Sequence, residues 1–379
     1  MNNKVFSMLA LATAAVLWLA ACQPAMSTPV ESTNPTPGTP PQASASATNS
    51  TIPATGQRVL KIMTHDSFAA SDTVINAFEQ ANNVKVQILK SGDAGTATNK
   101  AILSKNNPLA DVFYGVDNTF LSRALQAGIF EPYNAPLLAD IPAQYKLDSS
   151  NQALPVDWGD VCLNYDKAYF KDKSISPPQT LEDLLKPEYK SLLVVENPAS
   201  SSPGLAFLLA TIGHFGENGY LDYWKGLVAN DVKVDDSWGN AYNIDFSGSA
   251  GHGSRPIVLS YSSSPPFEVL EATTPVSEPP TAAIVSDGAC FRQIEFVGIL
   301  KGTQNRDLAE KWIDFMLSKT FQEDMPMQMY VFPTNQQAKL TDVFTKYMQI
   351  PNKTATISPD EIAAKRDQWI QVWNNTILH

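Results

Sequence analysis

The side chains able to do chemistry sit in a few polar loops. His65-Asp66-Ser67, Ser91-Gly92-Asp93-Ala94-Gly95 and Asp117-Asn118 each follow an apolar, β-favouring run and precede a helical one. If those runs are strands of one parallel sheet, three carboxylates meet along the edge where such sheets take ligands. Farther on, residues 197–203 (NPASSSP) and the run Tyr261, Ser262, Ser263, Ser264 offer hydroxyls and free N–H groups before helix starts, and Trp238 opens a polar, aromatic stretch to Tyr242. Asp or Ser between a strand and a helix is also the ordinary capping residue, so both roles stand open for each of them.

A reaction would need more than this. His65, His214, His252 and His379 show no metal-ligand spacing, and the chain has no CxxC, HExxH, P-loop or GxGxxG. Residues 246–255 (FSGSAGHGSR) bring His252 near Ser254, a pair a hydrolase would use, but without the G-x-S-x-G elbow, and the stretch reads as a surface loop. No cofactor is called for. Carboxylates, hydroxyls and flat rings without a nucleophile point to binding rather than turnover. The formal charge of −11 and a pI near 4.9 exclude a nucleic-acid partner, which relies on Lys and Arg, and fit a cationic or neutral ligand.

Stepping outward from these loops, 379 residues with 44% hydrophobic and 17% charged side chains suffice for two lobes with ordinary cores. Residues 1–21 read as a leader: Lys4, an apolar run from 5 to 21, then Leu19-Ala20-Ala21-Cys22, which resembles the lipobox of bacterial lipoproteins. That resemblance implies cleavage before Cys22 and a diacylglycerol on its sulfur, an anchor worth about 0.8 kcal/mol per buried methylene. Residues 22–57 are rich in Pro, Ser, Thr and Ala and cannot bury enough surface to fold; such a tether reaches roughly 30 Å as a coil and about 100 Å as polyproline II.

The remaining pattern alternates strands with helices of about ten residues, the sign of βαβ units. Strands are expected at 59–64, 85–89 and 110–114, with helices at 71–81 (Ser71 as N-cap), 96–105 and 119–127. A long strand at 154–167 (LPVDWGDVCLNYDK) then crosses to a second set: strands at 192–196, 232–234 and 256–261, helices at 180–185, 204–215, 222–229, 238–242 and 265–271. A return strand at 288–296 (GACFRQIEF) leads back. The expected fold is α/β and two-lobed, lobe 1 from 58–156 and 293–379, lobe 2 from 157–292 with the hinge strands. Cys162 and Cys290 fall on those strands, as a disulfide if the strands are neighbours or as two buried thiols. Asn305 is the expected cap of a helix at 306–318, residues 329–333 are extended, and Ser358-Pro359-Asp360-Glu361 opens a last helix that buries Trp369 and Trp373.

Read together, THDSFAA, ADVFYGVDN, PVDWG with NYDK, NPASSSPGL, SWGNAY, VLSYSSSP, WIDFMLS and SPDEIAAKRDQWIQVW resemble, in order, the extracytoplasmic solute-binding proteins of ABC importers. SFAA, SSSPGL, SW with AY, and SYSSSP resemble the thiamine-binding branch. The resemblance implies a type 2 periplasmic-binding-protein fold, a monomer, a permease as partner, and thiamine or its phosphates as ligand. It places ligand contacts at Asp93, Ala94, Ser201, Ser202, Trp238, Tyr261, Ser262, Ser263 and Ser264, with Tyr330 where the family has tryptophan and His65, followed by Asp66, where it has tyrosine. The family's tryptophan shortly after SFAA has no counterpart, and its DPR is NPA at 197–199. A polyamine, or ferric iron held by Tyr242, Tyr261 and Tyr330, is the alternative in the same fold.

Overall fold

The computed structural model describes residues 56–248, 253–272 and 274–378. The leader, Cys22, the tether up to residue 55, and His252 lie outside them. The first run comprises β1 (Arg58–Thr64), α1 (Asp72–Asn82), β2 (Val84–Lys90), α2 (Ala94–Leu103), β3 (Val112–Asp117), α3 (Leu121–Ala127) and β4 (Phe130–Glu131). The long β5 (Leu154–Asp166) and α4 (Lys167–Lys173) follow. The second run comprises β6 (Leu193–Glu196), α5 (Ser202–Phe215), α6 (Tyr220–Ala229), β7 (Lys233–Asp235), α7 (Trp238–Asn240), β8 (Ile257–Tyr261) and α8 (Ser264–Leu270). The chain ends with β9 (Thr281–Ile284), β10 (Phe291–Leu300), α9 (Arg306–Leu317), α10 (Lys319–Gln328), β11 (Phe332–Pro333), α11 (Asp342–Tyr347) and α12 (Pro359–Ile377).

The sheet runs β2-β1-β3-β10-β5-β8-β6-β7. β1 pairs in parallel with β2 and β3, and β6 in parallel with β7 and β8, so each half has its first strand flanked by the next two. Between these sets β5 and β10 run antiparallel to each other. The first part of β5 pairs with β10 and β11, and its last part with β8 and β9, so one thirteen-residue strand belongs to both halves. β3 is buried at every position, as a parallel strand with neighbours on both edges and helices on both faces must be.

Local signals set the helix starts. Ser71 accepts from Val74 N at 3.3 Å and Ser358 from Glu361 N at 3.2 Å, each satisfying an orphan donor of the first turn. Asn305 instead spends its amide on Val59 O and Asp111 Oδ1, tying α9 to β1 rather than capping it. The stretch at 180–185 is only a 3₁₀ turn, Glu182–Leu185. Trp312, Trp224 and Trp373 are fully sealed from solvent. In α12, Trp373 meets Trp224 of α6 edge-to-face at 5.2 Å while Arg366 Nη1 reaches Ser122 Oγ of α3 at 3.3 Å, so this helix touches both halves.

Of the two states open to Cys162 and Cys290, the structure holds the disulfide, with Cα atoms 4.6 Å apart, Cys162 in β5 and Cys290 just before β10. Close by, Arg292 of β10 clamps Asp160 of β5 with Nε and Nη2 both at 2.8 Å. The bridge closes a sequence separation of 128 residues. In the chain-entropy account a loop of that size is worth about 5 kcal/mol. Reduction should therefore lower the urea midpoint of unfolding well below that of the oxidised protein; an unchanged midpoint would show that the pairing of β5 with β10 holds without it.

Candidate functional site

All five loops at the carboxyl ends of β1, β2, β6, β7 and β8 converge on one crevice between the halves, as ligand sites in open α/β sheets do. Its cavity volume is about 70 Å³. His65, Asp93, Ala94, Ser202, Trp238, Tyr261, Ser264 and Tyr330 line it, all expected from the sequence. Asp66 stands at its outer mouth, together with Glu268 and Glu271. Ser201, Ser262 and Ser263 were expected there too but are fully buried beside it: Ser201 caps α5 through Gly204 N, and Ser262 anchors by its N–H to Asp160 O. Asp117, the third carboxylate of the converging loops, is sealed inside and holds the turn before α3 through Thr119 N and Phe120 N; burial raises its pKa to about 6 despite those donors.

Asp93 joins the halves. Its own helix α2 lies on one side, where Oδ1 accepts from Ala94 N at 2.6 Å; from the other side Ser202 N reaches Oδ1 at 3.4 Å and Trp238 N reaches Oδ2 at 2.9 Å. One carboxylate thus serves the N-terminal ends of three helices, where backbone N–H groups are unpaired and the field favours negative charge. Beside it Thr96 N donates to Ser200 O at 3.1 Å, and Gly95 permits this approach because a Cβ there would lie 2.7 Å from that carbonyl oxygen. Gln293 of β10 makes a second link, taking a hydrogen bond from Tyr261 Oη at 2.5 Å and giving them to Ser202 Oγ at 2.8 Å and to Asp117.

The floor holds a carboxylate that the sequence reading missed, Glu295. The register of β10 shifts at Glu295 and Phe296, and such a bulge re-aims a side chain. Its signal in the sequence is faint: Gln293 and Glu295 stand two apart, on one face of the return strand. Glu295 Oε1 lies 3.2 Å from His65 Nε2, and Tyr114 Oη bridges Glu295 Oε2 at 3.1 Å and Asp157 Oδ2 at 2.5 Å. Burial, then the charge of Glu295, pushes Asp157 well above the usual carboxylate range. Burial opposes the charges of Glu295 and His65 as well, but their mutual attraction wins: Glu295 titrates below its ordinary value and His65 above its own.

Flat rings form the walls. Trp238 stacks on Tyr242 with centroids 4.9 Å apart and 16° between planes, its Nε1 donating to Ser260 Oγ at 3.0 Å. It is half-buried and so serves packing and crevice together. Tyr330 packs against Phe267 in a left-handed backbone conformation, φ 60°, which a bulky residue holds only where its surroundings enforce it. Burial and neighbouring carboxylates raise the pKa of Tyr242, Tyr261 and Tyr330.

The family description "Bacterial extracellular solute-binding protein" matches residues 107–355. The chain belongs to that family. It is 30% identical over 330 residues to the thiamine-binding periplasmic protein of Salmonella typhimurium, covering 86% of this chain and 95% of the relative. A solved periplasmic thiamin-binding protein superposes with a TM-score of 0.72 at 27% identity, covering 84% of this chain and 96% of that one. A ferric-binding protein from Campylobacter jejuni, at 20% identity and a TM-score of 0.67, shares the fold. This solute-binding protein has the type 2 periplasmic-binding-protein fold, acts outside the cytoplasm and binds its substrate for transport rather than converting it. Among its described residues no helix is long and apolar enough to cross a membrane. Ser254, the nucleophile a hydrolase reading would need, is an exposed loop residue of this binding protein.

The ion pair on the crevice floor gives the protein a pH signature. A raised His65 stabilises the fold fully below pH 6.5, and that contribution is lost as pH rises through the raised value. A lowered Glu295 contributes above pH 4.5 and loses its share as pH falls through its own lowered value. The contribution is therefore whole between 4.5 and 6.5 and shrinks above. Urea titrations from pH 6.5 to about 9 should show a smaller fall in stability for His65→Asn than for the wild type; parallel curves would mean that the pair does not form.

Proposed function

We propose that this solute-binding protein captures thiamine in the crevice and hands it to the permease of an ABC importer. The observation that carries the reading is the make-up of the crevice: flat rings from Trp238, Tyr261 and Tyr330 around a wall that carries Asp93 and Glu295. Thiamine is a cation with two flat heteroaromatic rings and a hydroxyl tail. Stacking and cation–π contact each supply about 0.5–2 kcal/mol beyond area burial, and hydroxyls such as Ser202 and Ser264 suit the tail. The similarity to thiamine-binding periplasmic proteins supports the same ligand. A polyamine offers no ring for these faces.

In this reading Asp93 has two tasks, supplying negative charge under the cation and drawing the starts of α5 and α7 toward α2. Residues 58–156 with 293–379 and residues 157–292 move against each other about β5 and β10, with α12 straddling the division. The chain acts as a monomer, held to the membrane by lipid on Cys22 at the end of the tether.

Calorimetry tests the site. Trp238→Ala and Asp93→Asn should each weaken thiamine by about tenfold or more, the equivalent of about 1.4 kcal/mol. Unchanged affinity in both variants would remove the crevice as the thiamine site.

A further inference from the structure

Gln293 does not line the crevice, yet it holds two side chains that do, Tyr261 and Ser202. Buried on β10, it uses both ends of its carboxamide: Oε1 accepts from Tyr261 Oη at 2.5 Å, while Nε2 donates to Ser202 Oγ at 2.8 Å and to Asp117 Oδ2. Asp117 ends β3 in the first half, whereas Tyr261 ends β8 and Ser202 opens α5 in the second. To reach Gln293 the Tyr261 ring has to cross β5. It crosses at Gly159, the residue of β5 that pairs with Gln293 in the sheet. A Cβ on Gly159 would lie 2.9 Å from Tyr261 Cδ1, so the ring rests on bare backbone, the close approach that a glycine inside a strand permits. The amide is the fitting group at this point. Asp117 Oδ1 is already taken by Thr119 N and Phe120 N, and its Oδ2 needs a donor, while Tyr261 Oη needs an acceptor. A carboxamide supplies both at once; a leucine would supply neither, and a glutamate would set carboxylate against carboxylate.

We propose that Gly159 and Gln293 form a seat that fixes the plane of the Tyr261 ring and the direction of Ser202 Oγ, which makes Gln293 a positioning residue for the ligand that does not touch it. The inference rests on the thiamine reading and extends it to the groups behind the wall. A phenol held by its hydroxyl and laid on the backbone of a sheet strand keeps one orientation before the ligand arrives, so its ordering is not charged against binding. The same carboxamide ties the end of β3 to β8 and α5, so the ring is set relative to both halves.

The test is calorimetry with thiamine on a cycle of variants. Gln293→Leu and Tyr261→Phe should each weaken binding by about fivefold or more, as loss of one buried hydrogen bond allows. Combined, they should bind no more weakly than Gln293→Leu alone, because both act through one contact. Gln293→Glu should bind poorly as well. Adding Asp117→Asn to it exchanges amide and carboxyl, gives every donor an acceptor again, and should restore most of the affinity. Should Gln293→Leu fail to fold, Gly159→Ala, which removes no hydrogen bond, decides in its place by weakening thiamine as it displaces the ring. Wild-type affinity in Gln293→Leu or in Gly159→Ala overturns the seat and leaves the thiamine reading intact. Losses that add in the combined variant, or an exchanged pair that restores nothing, overturn it too. A failure of thiamine to bind the wild type overturns both.

Discussion

The antiparallel pairing of β5 with β10 decides where a ligand can go. Two parallel three-stranded sets need a connection, and here the connection is itself part of the sheet, so the halves share a continuous hydrogen-bonded surface. With β5 paired to β10 at one end and to β8 and β9 at the other, the carboxyl ends of both parallel sets open onto the same gap. Every wall of the crevice follows from that placement: α2 presents Asp93, α5 presents Ser202, and α7 presents Trp238 because each helix begins where its strand stops. The disulfide and the Arg292–Asp160 clamp sit at the same pair of strands and fix their register.

Burying so many polar groups near one gap is costly unless each is matched. The structure meets the demand in different ways within a few residues. His65 draws Glu295 below its ordinary value, whereas Asp157 beside it is pushed upward by burial and shares Tyr114 Oη. Glu196, sealed next to Asp93 with no hydrogen-bond partner for either carboxyl oxygen, is pushed well above the usual carboxylate range by burial first and then by that neighbour. Burial pushes Asp157, Glu196 and Asp93 upward, whereas Glu295 beside His65 titrates below its ordinary value, and the difference lies in what stands beside each, the same principle that sets acid and base roles in enzymes. Here the result is a crevice polarised toward a cation.

Much of the fold was legible because covered strands read as short apolar runs, and β1, β3, β6 and β8 did so within a few residues of their observed bounds, with the edge strand β2 alternating apolar and polar residues. The helix α10 was not: Pro326 and the polar FQEDM run mask it, and the burial of Phe321, Gln322 and Met325 overrides the local signal. α4 went unread because LysAlaTyrPhe reads as the tail of a strand until Asp166 caps it through Ala168 N and Tyr169 N. For the crevice, Asp93, Trp238, Tyr261 and Tyr330 came from the family resemblance; residue types alone left capping and binding undivided. Asp93 turns out to do the capping while facing the crevice. Glu295 escaped notice since a bulge is a property of three strands together, and the burial of Ser262 and Ser263 depends on how tightly the turn after β8 closes on Asp160.

The central claim is that the gap between the two halves, walled by rings and carboxylates, is where the vitamin is held. A crystal structure of the protein grown with thiamine tests it most directly. The account predicts the thiamine rings lying against Trp238 and Tyr330, between the starts of α2 and α5, with no lysine or arginine side chain in contact. Thiamine bound elsewhere on the surface, or those two rings turned away from it, would contradict it.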